Sequence, residues 1–230
     1  MTKGAGMIHP NMATLLGVIA TDAHIAPALL PGLLTNAVNK SFNSISIDGD
    51  TSTNDTVAVL ANGAAGGTKV DSESSEDYNV FQKTLTEFAS DLAKLVVRDG
   101  EGATKFVTVA VSGGANRDEC LDVAYAVAHS PLIKTALFAS DPNWGRIVAA
   151  IGYAGVDNLD ATKVRVHLND TLIVEDGGRA KTYTEAQGQA IMSQADIAIN
   201  INLGRGDFAE TVWTTDLSYE YVRINADYRS

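Results

Sequence analysis

An α+β fold is what this amino-acid sequence predicts, and three observations predict it. Ile197, Ile199, Ile201 and Leu203 alternate with Ala198, Asn200 and Asn202, the period of two expected of a half-buried strand. Across residues 78–97 the apolar Phe81, Leu85, Phe88, Leu92, Leu95 and Val96 recur at helical spacing instead, marking a long amphipathic helix. Strand and helix patterns then follow one another without the regular strand–helix–strand spacing of a doubly wound sheet.

Each element can be justified in order. Residues 15–19 are a short apolar run and read as a buried strand. Asp22 is placed to cap a helix over 26–42, whose apolar Leu29, Leu33, Ala37 and Val38 follow Pro27 and Pro31 near its start. Residues 44–47 read as a strand, 48–55 as a polar loop, and 57–60 as a second apolar segment. Residues 62–67 and 72–76 are rich in Gly, Asn and Ser and read as an exposed insertion. The helix over 78–97 stops at Asp99-Gly100-Glu101-Gly102, where two glycines break its period. Residues 106–111 alternate as a strand, Gly113-Gly114 marks a turn, and 118–128 and 144–153 read as helices. Residues 164–168 and 172–174 flank Asn169-Asp170, a hairpin signal. Gly204-Arg205-Gly206 turns the strand over 197–203 into another over 208–215.

Composition bounds the function. The 230 residues carry 17 Lys plus Arg against 28 Asp plus Glu, a net charge of −11. A field of that sign repels phosphate backbones and anionic lipid, so neither a general nucleic-acid binder nor a membrane-surface binder is expected. A hydrophobic content of 45% with 20% charged residues is that of a folded chain, not a disordered one. The single cysteine, Cys120, excludes an internal disulfide and a cysteine-based structural metal site, and fits a reducing compartment. No apolar run reaches the ~20 residues of a membrane span, so a soluble intracellular chain is expected. His9, His24, His129 and His167 show no ligand spacing, and Asp48, Asp50 and Asp55 lack the spacing of an EF-hand. No metal is therefore expected. Phosphate-loop, dinucleotide, HExxH and nucleophile-elbow motifs are absent.

The informative segment is Lys3-Gly4-Ala5-Gly6-Met7-Ile8-His9-Pro10-Asn11-Met12-Ala13-Thr14-Leu15. Taken bare, a Thr at the mouth of a strand is an ordinary strand residue. Four further blocks change its meaning: Ser46-Ile47-Asp48-Gly49-Asp50-Thr51-Ser52-Thr53-Asn54-Asp55, Val97-Arg98-Asp99-Gly100-Glu101-Gly102-Ala103-Thr104-Lys105, Asp141-Pro142-Asn143-Trp144-Gly145-Arg146-Ile147, and the ending 221–230. In this order and across the whole chain, they resemble the glutamate N-acetyltransferases (ornithine acetyltransferases) of arginine biosynthesis. Leu15-Leu16 stands where many members have Met-Leu, a conservative departure.

The resemblance implies a layered αββα-type sandwich of the N-terminal-nucleophile-like kind. Residues 1–13 are then the tail of an α segment ending at a self-cleavage site. Residues 14–115 form a nucleophile-bearing portion and 116–230 a C-terminal α+β portion. It implies cleavage between Ala13 and Thr14, then ping-pong transfer of acetyl from N2-acetylornithine to glutamate through acetyl-Thr14. The chemistry is coherent, because a threonine hydroxyl needs a base and a freed α-amine, with a reference pKa near ~8, supplies one.

Lys3, Thr14, Glu101, Asn225 and Ser230 are the implied substrate-binding residues: Lys3 for a carboxylate, Glu101 for an amino group, Asn225 and Ser230 where the C-terminus folds over the site. The polar loop 48–55 is expected to support Thr14 from below, and Trp144 and Arg146 to serve packing. Oxyanion-hole donors lie on the α segment in this family, and no cofactor is implied, acetyl-CoA being a further acetyl donor in bifunctional members. The implied partner is the α chain in an α2β2 heterotetramer, in the bacterial cytoplasm or, for a fungal member, the mitochondrial matrix. Two other readings stay open: an N-terminal-nucleophile amidase or peptidase relative, and an inactive subunit lacking its α half.

Overall fold

Strands assemble into two separate sheets, one in each of the two units into which the chain divides. The computed structural model describes residues 1–9 and 15–228. Unit 1 comprises Met1–Ile45 and Gly49–Asp99, and unit 2 comprises Ser46–Asp48 and Gly100–Ser230.

In unit 1, strands β1 (Thr2–Lys3), β2 (Leu16–Thr21) and β3 (Thr56–Ala61) lie in that order, β1 antiparallel to β2 and β2 parallel to β3. The apolar run at 15–19 is thus a strand, but a half-buried one: Gly17 and Ile19 are buried while Leu16 and Val18 are exposed. Asp22 caps no helix. Pro27–Leu29 form a 3₁₀ turn whose flanking Ala26 makes no side-chain cap, and helix α1 (Leu30–Asn39) follows with Leu33 and Ala37 fully buried. Residues 44–47 are not a strand. Phe42–Ser44 form a 3₁₀ turn, with the Ser41 and Ser44 hydroxyls donating to the Ala37 and Asn39 carbonyls. Ile45 and Ile47 are buried, so the alternation reports burial without a ladder.

Helix α2 (Glu76–Arg98) starts where the Ser75 side chain accepts the Tyr78 N–H, with Glu76 and Asp77 favourably placed in its first turn. Its buried stripe is Tyr78, Leu85, Ala89, Ala93, Val96 and Val97. Phe88 and Leu95, which the helical period assigns to the inner face, are 49% and 58% exposed.

Unit 2 contains β4 (Phe106–Gly114), α3 (Arg117–Ala128), α4 (Pro131–Phe138), α5 (Trp144–Gly152), β5 (Arg165–Leu168), β6 (Thr171–Glu175), β7 (Gly178–Arg179), α6 (Glu185–Met192), β8 (Asp196–Asn202), β9 (Phe208–Thr215) and α7 (Tyr219–Asp227). The sheet order is β7-β6-β5-β8-β4-β9. Only β4 and β8 run parallel within it; the other pairs are antiparallel. Ile197, Ile199 and Ile201 of β8 face the same core as Val107, Val109 and Val111 of β4. Cys120, Val123 and Val127 of α3 and Ile147 and Ile151 of α5 close that core. Strand β4 belongs to this unit because β8 and β9 hold it on both sides. The fold class is α+β, each sheet carrying its own helices. No helix among the described residues is long and apolar enough to cross a membrane.

Candidate active site

The expected site residues fall in both units, and Ala13, Thr14 and Ser230 lie outside the described residues. In unit 1, the residue following Thr14 is held on both sides of its backbone. The Leu15 N–H donates to Asp55 Oδ1 at 2.7 Å, and the Leu15 carbonyl accepts the Thr56 N–H at 2.9 Å. One bond comes from the side chain just before β3 and the other from the first residue of β3. Burial raises the Asp55 carboxyl above the usual carboxylate range, and the Leu15 N–H partly offsets this. Lys3 sits opposite Leu16 in the register of β1 on β2, with its side chain exposed. The structure therefore brings Lys3 to the first residue of β2.

In unit 2, Glu101 begins a loop clamped against the β9–α7 junction. Asp216, 4% exposed at the end of β9, accepts the Thr104 N–H at 2.8 Å, the Thr104 hydroxyl at 2.6 Å and the Lys105 N–H at 2.9 Å. The Ser218 hydroxyl donates to the Gly102 carbonyl at 2.7 Å while accepting the Tyr221 N–H, so one side chain caps α7 and ties it to the loop. Gly102 needs to be glycine. Its φ is +66°, and a Cβ there would lie 2.5 Å from the Tyr221 nitrogen. Near the end of α7, the Asn225 amide donates to Glu101 Oε2 at 2.8 Å and to the Tyr221 carbonyl at 3.0 Å. Glu101 and Asn225, 124 residues apart, are thus brought together.

Beneath this clamp, the Tyr221 hydroxyl donates to Asp48 Oδ2 at 3.0 Å. The buried Lys134 donates to Thr214 Oγ1 at 3.0 Å and to the Thr215 carbonyl. Burial lowers the Lys134 ammonium from 10.5 to about 8, with Asp216 and Asp48 pulling the other way. Reading the sequence missed Asp216, Lys134 and Ser218. Only Ser218 left a signal, as a helix cap three residues before Tyr221.

Chemically, the clamp presents a partly exposed carboxylate oriented by a neighbouring amide, suited to receive a cationic amino group. Trp144 packs against the unit 2 core and Arg146 donates to the Leu132 carbonyl at 2.5 Å, both in supporting roles. Among the described residues no group of three His, Cys, Asp or Glu side chains could hold a metal ion.

The chain matches the family model described as the ArgJ family over residues 1–230. It is 59% identical over 230 residues to the arginine biosynthesis bifunctional protein ArgJ of Pseudomonas fluorescens (strain Pf0-1), covering 100% of this chain and 57% of that protein. Against the protein of the same name from Psychrobacter arcticus (strain DSM 17307 / VKM B-2377 / 273-4) the identity is 57%, over 100% of this chain and 56% of that one. The chain therefore spans little more than half the length of these relatives. The crystal structure of the arginine biosynthesis bifunctional protein argJ from Bacillus halodurans superposes with a TM-score of 0.87 at 40% identity, covering 93% of this chain and 99% of that chain. This chain belongs to the ArgJ family.

Proposed function

We propose that this chain is the nucleophile-bearing part of an ornithine acetyltransferase of arginine biosynthesis. It moves acetyl from N2-acetylornithine to glutamate through an acetyl-Thr14 ester, after the precursor cuts itself between Ala13 and Thr14. The observation that carries the reading is the fixing of Leu15 on both sides of its backbone, directly after a threonine in the motif ending Asn-Met-Ala-Thr. A nucleophile gains most from an anchored neighbour, because effective attack depends on held geometry.

In this reading the Thr14 hydroxyl first attacks the Ala13 carbonyl, the C–N bond breaks to free the Thr14 amine, and water hydrolyses the resulting ester to release the Ala13 carboxylate and restore the hydroxyl. That amine then takes the hydroxyl proton as Oγ attacks the acetyl carbonyl, and returns it to the departing ornithine nitrogen. Glutamate attacks the ester in the second half-reaction. Lys3 receives a substrate carboxylate, Glu101 an amino group with Asn225 orienting it, and Ser230 closes the site from the C-terminus. Oxyanion-hole donors come from the upstream segment that the longer relatives carry, the partner in an α2β2 assembly of the bacterial cytoplasm. Acetyl-CoA is a second acetyl donor, in keeping with the word bifunctional in the relatives' name.

The test uses the full-length protein. Intact mass should show cleavage at Ala13–Thr14, and N-acetylornithine with glutamate should give ornithine without coenzyme A. Thr14→Ala should abolish both. An active Thr14→Ala protein overturns the reading, and deacetylation that does not depend on glutamate points to an amidase instead.

A further inference from the structure

Helix α7 carries Asn225, whose amide orients Glu101, yet among the described residues it buries no side chain. Tyr219 and Val222 are exposed, and only Tyr221 and Ile224 along the helix are half-buried. Packing of an apolar face, which fixes most helices on their domain, therefore contributes little to where α7 sits. Directed contacts must do so. At its start, Ser218 bonds the Gly102 carbonyl and the Tyr219 ring meets the edge of Phe138 at 5.4 Å. Ties in the first turn alone leave the far end, where Asn225 lies, able to pivot. Tyr221 supplies the tie one step further on. Its N–H donates to Ser218 Oγ at 3.2 Å and its carbonyl accepts the Asn225 amide at 3.0 Å, both local to the helix. Its hydroxyl donates to Asp48 Oδ2 at 3.0 Å, across 173 residues of sequence.

Asp48 is a fixed point for such a tie. Ser46 and Ile47, directly before it, are 1% and 2% exposed. The Ser46 N–H donates to the Trp213 carbonyl of β9 at 2.9 Å, and its hydroxyl is bonded to His129 Nε2 at 2.9 Å. Residues 46–48 are thus pinned to strand β9 and to the end of helix α3, inside the same unit as α7. A carboxylate presented from a backbone held in this way grips a phenol more strongly than a neutral acceptor would.

We propose that Tyr221 is a positioning residue for the acetyl donor, its hydroxyl bond to Asp48 holding α7 where Asn225 can orient Glu101. The inference rests on the reading in which Glu101 receives a substrate amino group. N2-acetylornithine has one free amino group, at the end of its side chain, because the other carries the acetyl. Glutamate has no side-chain amine to match it. The tie between Asp48 and Tyr221 therefore serves the half-reaction of the donor and not that of the acceptor. Tyr221 itself exchanges no proton and touches no substrate; it acts through Asn225.

Tyr221→Phe in the full-length protein tests this, since it removes the hydroxyl and keeps the ring. In a ping-pong cycle kcat/KM for each substrate reports its own half-reaction, so the two are read apart. For N-acetylornithine it should fall about 10-fold, the size of one lost hydrogen bond to a carboxylate, and for glutamate it should stay within about two-fold of wild type. Asp48→Ala should give the same fall, and the double variant no larger one, because both remove a single tie. Amide exchange reads the tie without substrate: residues 222–227 should exchange faster in Tyr221→Phe, with β4 and β8 protected as in wild type. Wild-type kcat/KM for N-acetylornithine, or unmoved exchange over 222–227, overturns the proposal. So does an equal fall for both substrates, which marks a general structural loss. A double variant whose losses multiply places the hydroxyl on another partner and overturns it too. If Asp48→Ala does not fold, Asp48→Asn keeps an acceptor for the hydroxyl and should lose less than Tyr221→Phe; a larger loss overturns the proposal. Failure of the underlying reading shows itself separately, as a Glu101→Gln protein with wild-type kcat/KM for N-acetylornithine.

Discussion

Asp216→Ala removes one side chain and three hydrogen bonds at once, and the size of its effect can be worked out. The lost bonds run from the Thr104 N–H, the Thr104 hydroxyl and the Lys105 N–H to a carboxylate that is 4% exposed. A hydrogen bond to a charged group contributes about 1.5–3 kcal/mol. Three would sum to about 4.5–9 kcal/mol, but they share one carboxylate, and the unfolded chain solvates all of these groups. Removing one partner of a buried charged network typically destabilises by about 3–5 kcal/mol, and that range is expected here because Lys134 is left buried with less opposing charge. Asp216→Asn keeps an acceptor for both N–H groups and should lose only about 1–2 kcal/mol. Urea unfolding measures both variants, and amide hydrogen exchange localises the change. Protection of the Thr104 and Lys105 amides should fall in Asp216→Ala before that of strand β4. A loss below about 1 kcal/mol, with those amides still protected, would refute the clamp as the device that holds the Glu101 loop.

Three further predictions concern the same region. Gly102→Ala should destabilise by more than about 2 kcal/mol, combining left-handed backbone strain with the displacement of α7 from a Cβ 2.5 Å from the Tyr221 nitrogen; a neutral urea melt would contradict this. Lys134 titrates near 8 when folded and at 10.5 ordinarily. Between those values the unfolded chain binds more protons, so stability should rise with pH by about 3 kcal/mol in total. In Lys134→Met that rise should disappear from urea melts taken across the window, and a wild-type slope in the variant would assign it elsewhere. Asn225→Ala, at an exposed site, should leave stability within about 0.5 kcal/mol yet raise KM for N-acetylornithine, because Glu101 loses its orienting amide. An unchanged KM would separate Asn225 from substrate binding.

Much of this was legible in the residues themselves, for identifiable physical reasons. Strand β8 shows because a sheet buried on one face imposes alternation, and the Asn169 turn because a tight hairpin needs positive φ, here +49°. Helix α4 left a cap-and-proline signature at Ser130-Pro131, and α6 a capping box from Thr184 to Gln187. Their short lengths left too little periodicity to register. The inner face of α2 was misassigned because small Ala89 and Ala93 take the buried positions that hydrophobicity alone gives to Phe88 and Leu95. Of the site, Glu101 was legible as a residue in a glycine-flanked break. Its pairing with Asn225 was not, because no local pattern encodes a contact across 124 residues. Asp216 and Lys134 are likewise defined only by burial, which depends on the finished fold.

Both candidate segments are anchored by a carboxylate acting on backbone N–H groups, and the two anchors differ. A segment outside a regular ladder must find other partners for its amides, and a buried carboxylate offers strong acceptors at the cost of desolvating its charge. At Asp216 that cost is offset in full view: three donors occupy its two oxygens and Lys134 stands nearby as a counter-charge. Such an anchor is complete and has nothing left to give a reaction. Asp55 is incomplete by the same measure, with one donor, a bare second oxygen and no charged side chain entering its shift among the described residues. An anchor needed only to hold Leu15 would be served equally well by asparagine, whose oxygen takes the N–H without burying a charge. The presence of aspartate is therefore informative: it leaves a buried oxygen for a donor that the described residues do not supply.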